Sequence, residues 1–320
     1  MQTVKESIRN AGIVPVVKID DAGQSVRLAD ALLQGGLPVM EITFRTDAAE
    51  ESIRRVAAEK PDMLVGAGTV LTVQQAQNAA KAGAKFLVAP GLNPDVVKAA
   101  QQLQIPIVPG VSSATEIEAA MQLGLDTLKF FPAESIGGVG MMKALCAPYQ
   151  NIFFIPTGGI DEKNLCSYLA FSKVLACGGS WMVKSELIQN EAFDEITART
   201  QRAVSLMHGF ELRHIGINCA AESEAREIAD TFGQAFGFGI KNGTSSLFAG
   251  SMMEIMKQPG YGAKGHIAVA ANDVARAMAY LQSRGFSIRQ DSVKYKNGAP
   301  AIAYLEKEIG GFAVHLVGKE

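Results

Sequence analysis

Eight times before about residue 205 the chain repeats one pattern: a strand-length apolar run, a Gly or Pro stop, and an amphipathic stretch. The runs are Ile13 to Ile19, Pro38 to Thr43, Met63 to Gly66 and Lys85 to Ala89. They continue with Ile105 to Val108, Thr127 to Phe131, Ile152 to Ile155 and Lys173 to Ala176. Each is rich in β-branched or aromatic residues, as strands are. Between them, Asp47 to Ala58 and Thr72 to Ala82 place apolar residues at helical spacing, and Ser113-Ala-Thr-Glu116 has capping-box spacing before a helix ending near Gly124. Strands alternating with helices require crossover connections and hence a parallel sheet. Eight such units closing on themselves make an α/β (β/α)8 TIM barrel. The alternative is an open doubly wound sheet, which the lack of GxGxxG after the first strand disfavours.

At 320 residues the chain is long enough for a second domain, and 48% apolar with 19% charged residues supports packed cores rather than disorder. The pattern changes near His208-Gly209-Phe210. Residues 1–206 read as the barrel, and 207–320 as an α+β domain with an internal repeat. One copy runs from His214-Ile-Gly-Ile217 through a helix and Gly237-Phe238 to Met253-Glu-Ile-Met256. The other runs from His266-Ile-Ala-Val269 through a helix and Gly285-Phe286 to Val314-His-Leu-Val317. The expected architecture is a pair of βαβββ modules.

A net charge of −2 implies no basic face for nucleic acid. No run is long and apolar enough for a membrane span, and the polar start has no signal-peptide core. Cys146, Cys166, Cys177 and Cys219 show no CxxC spacing, so neither a disulfide framework nor a thiolate zinc site is expected. A cytoplasmic setting is the default expectation.

Barrel chemistry belongs at the C-terminal ends of strands, with phosphate handled after the seventh and eighth. In Glu41-Ile-Thr-Phe-Arg45, period two puts Glu41, Thr43 and Arg45 on one face; Thr127, Lys129 and Phe131 share another. If both faces point inward, an acid, a guanidinium and an amine converge. An amine attacks a carbonyl only when neutral; burial and a nearby cation favour that form, and a nearby carboxylate opposes it. A lone lysine at a strand end more often snorkels to water, but the Phe-Phe-Pro after Lys129 and the pairing with Glu41 and Arg45 point to chemistry. Pro156-Thr-Gly-Gly-Ile160 and Cys177-Gly-Gly-Ser-Trp181 expose backbone N–H groups at adjacent strand ends, an arrangement that binds anions.

Together, Glu41-Ile-Thr-Phe-Arg-Thr46, Gly66-Ala-Gly-Thr-Val70, Lys129-Phe-Phe-Pro-Ala-Glu134, Pro156-Thr-Gly-Gly-Ile160 and Gly178-Gly-Ser-Trp181 resemble the KDPG/KHG aldolase family, in order, over about residues 1–206. The resemblance implies a class I aldolase that cleaves 2-keto-3-deoxy-6-phosphogluconate or 4-hydroxy-2-oxoglutarate to pyruvate and an aldehyde. It implies Lys129 as the Schiff-base lysine and Glu41 as general acid/base. Arg45, Thr69, Pro90, Phe131 and Thr157 would contact substrate, and Gly158, Gly159, Gly178, Gly179 and Ser180 would form the phosphate pocket. It further implies a homotrimer with no cofactor in the barrel. Two other classes stay open: a phosphate-sugar isomerase or epimerase on the same barrel, which needs no amine at Lys129, and a non-catalytic ligand sensor.

The second domain resembles the paired modules of the vicinal oxygen chelate (glyoxalase/dioxygenase) superfamily over about residues 211–318. That resemblance implies up to four metal ligands, one on the first and one on the last strand of each module. The matching residues are His214, Glu254, His266 and His315. Such a set would suit zinc, nickel, iron or manganese. His315 departs from the carboxylate common there, which puts glyoxalase activity in doubt; a binding or assembly module is the alternative.

Overall fold

Capping side chains set several helix starts in the first part of the chain. In the computed structural model, which describes residues 3–319, the helices there are α1 (Val4–Ala11), α2 (Ser25–Gly35), α3 (Ala49–Glu59), α4 (Val73–Ala82), α5 (Pro94–Gln102), α6 (Ala114–Gln122), α7 (Gly138–Cys146), α8 (Leu165–Leu169), α9 (Ser185–Gln189) and α10 (Phe193–His208). Thr3 with Glu6, Thr72 with Gln75 and Ser113 with Glu116 form capping boxes at α1, α4 and α6. Each satisfies two amide donors that a helix start leaves without partners. Asn93 caps α5, and Pro94 occupies a first-turn position where its missing N–H costs nothing.

The strands between them are β1 (Ile13–Val17), β2 (Val39–Thr43), β3 (Leu64–Gly68), β4 (Leu87–Val88), β5, β6 (Thr127–Phe130), β7 (Phe153–Pro156) and β8 (Cys177–Gly179). All their pairings are parallel. β5 comes in two pieces, Ile107–Val108 on β4 and Gly110–Val111 on β6. Pro109 between them has no N–H for the ladder, yet its carbonyl accepts the Lys129 N–H at 2.8 Å. Bridges Phe154–Val174 and Thr157–Gly178 join β7 to β8, and β8 pairs with β1. This is the (β/α)8 TIM-type ring. Ile8 and Ala11 of α1 pack with Val14, Phe86, Val108, Ile155 and Leu175 in one buried cluster.

Two strand readings need correcting. The eighth strand is Cys177–Gly179, with only an isolated bridge at Val174 in the 173–176 run. That run is apolar because Leu175 and Ala176 fill the core, not because it forms a ladder. The fifth strand reaches past Val108 to Val111, because a proline breaks the ladder without ending the extended path.

Contacts divide the chain between Met207 and His208 into two compact units. The second has an eight-stranded mixed sheet. Its elements are β9 (Glu211–Asn218), α11 (Glu222–Phe236), β10 (Ile240–Asn242), β11 (Ser246–Ala249), β12 (Met253–Met256), β13 (Gly265–Ala271), α12 (Val274–Ser283), β14 (Lys294–Lys296), β15 (Ala299–Tyr304) and β16 (Phe312–Gly318). The strand order is β10-β11-β12-β9-β13-β16-β15-β14. Each half runs βαβββ, and antiparallel β9–β13 pairing joins the halves. Ala225 and Ala229 of α11 pack on Leu247, Ala249 and Ile255, while Val274 and Ala277 of α12 pack on Ala303, Leu305 and Leu316. Among the described residues no helix is long and apolar enough to cross a membrane.

His208 is 2% exposed, stacked on Phe210 at 5.0 Å and tilted against Tyr280 at 4.4 Å. Burial, helped by the charge of Arg276, pushes its pKa down to about 4. A histidine held neutral in the fold binds its proton more readily when unfolded, so its contribution to stability is whole above about pH 6.5 and is lost as pH falls toward 4. Urea titrations at pH 7 and pH 5 are expected to show the His208→Met variant losing less stability on acidification than the unaltered chain. The full effect approaches about 3 kcal/mol by linkage; equal losses would contradict this.

Candidate active site

Lys129 and Glu41 are 4% and 3% exposed, on β6 and β2 respectively. Lys129 Nζ lies 3.9 Å from Glu41 Oε1 and 4.9 Å from the centre of the Phe131 ring. Glu41 Oε1 is buried with no hydrogen-bond partner. Such an oxygen is costly to leave bare, so it is poised to accept a proton or hydrogen bond from a bound molecule. Gly68 on β3 makes room for it: a β-carbon there would sit 2.0 Å from Glu41 Oε1.

β2 stops at Thr43, so Arg45 lies in the following turn rather than on the strand face. The Thr43 hydroxyl donates to the Val17 carbonyl at 2.8 Å, tying β2 to β1. Arg45 reaches back instead, and its Nε donates to Thr69 Oγ1 at 3.3 Å. Thr69 has φ of +55°, an uncommon conformation for a side-chain-bearing residue and one that clusters at functional sites. The Pro90 carbonyl faces Gly110, where a β-carbon would meet it at 2.0 Å, so these two strand ends are closely packed.

A cavity of about 620 Å³ opens over these strand ends. Its wall includes Arg45, Phe131, Thr157, Gly158, Gly159, Gly178, Gly179 and Ser180. Lys129, Glu41, Thr69 and Pro90 are not on that wall, although their neighbours Thr43 and Phe131 are. The wall also carries Lys18 and Lys184, which sequence reasoning passed over. Lys18 had a readable signal: it follows the apolar run of β1, at the strand end where barrels place chemistry. It pairs with Asp20 at 2.8 Å. The two Gly-Gly turns, a hydroxyl and two ammonium groups make this end of the cavity suitable for an anion.

The second unit brings four predicted residues together. Register places Glu254, Gly216 and His266 in one row across β12, β9 and β13, and His214, Ala268 and His315 in another across β9, β13 and β16. Glu254 Oε2 lies 3.0 Å from His214 Nε2 and 3.2 Å from His266 Nε2. Those two nitrogens are 3.1 Å apart. Ligand atoms of His214, His266 and His315 all lie within 4.8 Å of one another. Gly216 leaves space for the His266 ring, which a β-carbon would meet at 2.0 Å.

Burial raises the pKa of Glu254, but hydrogen bonds from His214, His266 and Ser246 outweigh it and hold the carboxyl well below the usual range. The Ser246 hydroxyl donates to Glu254 Oε1 at 2.7 Å. Burial and the neighbouring His266 and His214 push His315 down to about 4. Its Nδ1 is 3.3 Å from the Leu316 carbonyl, and its buried Nε2 has no partner. Tyr304 stacks on the His315 ring at 4.5 Å. Nothing in the repeat pattern marked Tyr304, which lies on the strand next to β16.

Comparison with known proteins places the barrel. The sequence model of KDPG and KHG aldolases matches residues 4–199. The 2-dehydro-3-deoxy-phosphogluconate aldolase of Treponema pallidum is 48% identical over 207 residues, 65% of this chain and 99% of that protein. Its namesake from Haemophilus influenzae is 47% identical over 206 residues, 64% of this chain and 97% of that one. The crystal structure of a Legionella pneumophila KDPG aldolase, with pyruvate captured as a covalent carbinolamine, superposes with a TM-score of 0.61. It is 36% identical and covers 63% of this chain and 98% of its own.

Proposed function

The chain belongs to the KDPG and KHG aldolase family and is a carbon–carbon lyase, and from that premise we propose that Lys129 is its Schiff-base nucleophile and Glu41 its general acid/base. The observation that carries this is a buried amine 3.9 Å from a buried carboxylate whose Oε1 has no other partner. The carbinolamine trapped in the Legionella relative supports it.

Lys129 Nζ attacks the C2 ketone of a 2-keto-3-deoxy acid, and loss of water leaves an iminium. Glu41, directly or through a water, takes the C4 hydroxyl proton. The C3–C4 electron pair flows into the iminium, which acts as an electron sink. The aldehyde leaves, the enamine is protonated at C3, and water releases pyruvate and the free amine. Arg45, Thr69, Pro90, Phe131 and Thr157 position the keto acid. Gly158, Gly159, Gly178, Gly179 and Ser180, with Lys18 and Lys184, hold a terminal phosphate, giving pyruvate and glyceraldehyde 3-phosphate from 2-keto-3-deoxy-6-phosphogluconate. With 4-hydroxy-2-oxoglutarate the aldehyde is glyoxylate. Turnover of both substrates by the full chain, followed as pyruvate release, tests this; failure on both would reject it.

For the second unit we propose a metal-binding domain of the vicinal oxygen chelate type, with His214, Glu254, His266 and His315 as ligands. The cluster of His214, His266 and His315, with Glu254 against the first two, and the buried unpartnered Nε2 of His315 fit a divalent cation. Three imidazoles and one carboxylate suit zinc, nickel, iron or manganese, and a bound ion would supply Lewis acidity. Ser246 would orient the Glu254 carboxylate, as outer hydrogen bonds orient metal ligands. Chelator-stripped protein is expected to gain stability on adding the metal, by about 2.7 kcal/mol at a hundredfold excess over Kd. His266→Ala is expected to abolish that gain. A stripped chain whose unfolding no divalent ion shifts would speak for the assembly-module alternative.

A further inference from the structure

The turn that follows Lys129 is fastened to the Gly-Gly loop after β7 more heavily than strand pairing requires. The Ala133 N–H donates to the Thr157 carbonyl at 2.8 Å and the Glu134 N–H to the Gly158 carbonyl at 3.0 Å. A β-carbon on Gly159 would lie 2.7 Å from the Glu134 side chain, so that side chain runs directly against the loop. From the other side, the Asn164 amide donates to the Gly159 carbonyl at 2.9 Å.

This sets Cβ and Cγ of Glu134 against Gly159, which lines the anion end of the cavity, and leaves the carboxylate one bond further along the side chain. A free carboxylate there would repel a phosphate and compete for the same amide donors. The Tyr168 hydroxyl occupies it. Tyr168, fully buried on α8, donates to Glu134 Oε1. Burial, and then the carboxylate itself, push the Tyr168 pKa well up, so the phenol remains a donor across the working pH range.

We propose that Glu134 and Tyr168 form a positioning pair that locks the turn after Lys129 to the Gly158–Gly159 loop and holds a carboxylate away from the anion end, setting the preference for a phosphorylated over a non-phosphorylated keto acid. The pair touches neither the ketone nor the amine. Its effect falls on substrate binding at the far end of the cavity and leaves iminium formation alone. This inference rests on the lyase reading above and on the phosphate lying at the glycine loops.

The test is a comparison of KM and kcat for 2-keto-3-deoxy-6-phosphogluconate and 4-hydroxy-2-oxoglutarate in the full chain, with borohydride trapping of pyruvate as the control for an intact Lys129. Tyr168→Phe removes one oxygen from a buried site and leaves the ring packed. It is expected to raise KM for the phosphorylated substrate roughly tenfold, the worth of a hydrogen bond to a charged group. KM for the other substrate should stay within about twofold and pyruvate trapping should be unchanged. Glu134→Gln retains an oxygen that accepts from Tyr168 and removes the charge, so its KM for the phosphorylated substrate is expected not to rise. A KM increase shared equally by both substrates in Tyr168→Phe, or none for the phosphorylated one, overturns the pair's role. If the unaltered chain forms no trapped pyruvate adduct, it is the lyase reading that fails.

Discussion

Replacing Lys129 with alanine is expected to lower kcat/KM for retro-aldol cleavage by about four orders of magnitude or more, the scale seen when a covalent nucleophile is removed, and to abolish the borohydride-stable adduct with pyruvate. The amine lies on β6 with its backbone N–H on the Pro109 carbonyl and its Nζ 3.9 Å from Glu41. Two other lysines, Lys18 and Lys184, line the cavity, and Lys18 is paired with Asp20. Peptide mapping of the trapped adduct checks the assignment. Label found on another lysine, or turnover retained in the alanine variant, would return the barrel to the isomerase or sensor alternatives.

The second large effect belongs to Glu41. Glu41→Gln keeps the shape and removes the base, so C–C cleavage should slow by roughly 10² to 10⁴, the usual worth of a general base. Condensation with pyruvate should survive, since Lys129 supplies that nucleophile. Mass spectrometry after borohydride reduction would therefore find the adduct on a variant that barely turns over. A variant with both the adduct and undiminished turnover would assign proton transfer elsewhere. Glu41→Ala would also open a void beside Lys129, so the glutamine is the cleaner substitution.

Much of the barrel could be read from the chain because its signals are local. Capping boxes at Thr72 and Ser113 fix helix starts within one turn, and β-branched runs end at glycines. The fifth and eighth strands were less legible for the same reason. Pro109 hides a continuing strand, and the packed run at Leu175 and Ala176 mimics one. Lys129 and Glu41 stood out because charged residues in apolar runs need an explanation. Lys18 was readable on the same ground, at the end of the first apolar run, and was passed over; Lys184 lies outside those runs and looks like any solvated residue until the strands converge. In the second unit, the repeat placed His214, Glu254, His266 and His315 at equivalent positions, while Tyr304 reaches His315 only through cross-strand pairing, which no single strand reveals.

The eight-stranded sheet of the second unit is open, and an open sheet has two borders that another chain could extend. Both outermost strands are three residues long and exposed throughout. Lys241 stands on one, and Lys294 and Lys296 on the other. An incoming strand would have to bury ammonium groups to gain only a few ladder bonds, so the sheet's own margins limit its growth and guard the protein against fibre-like stacking.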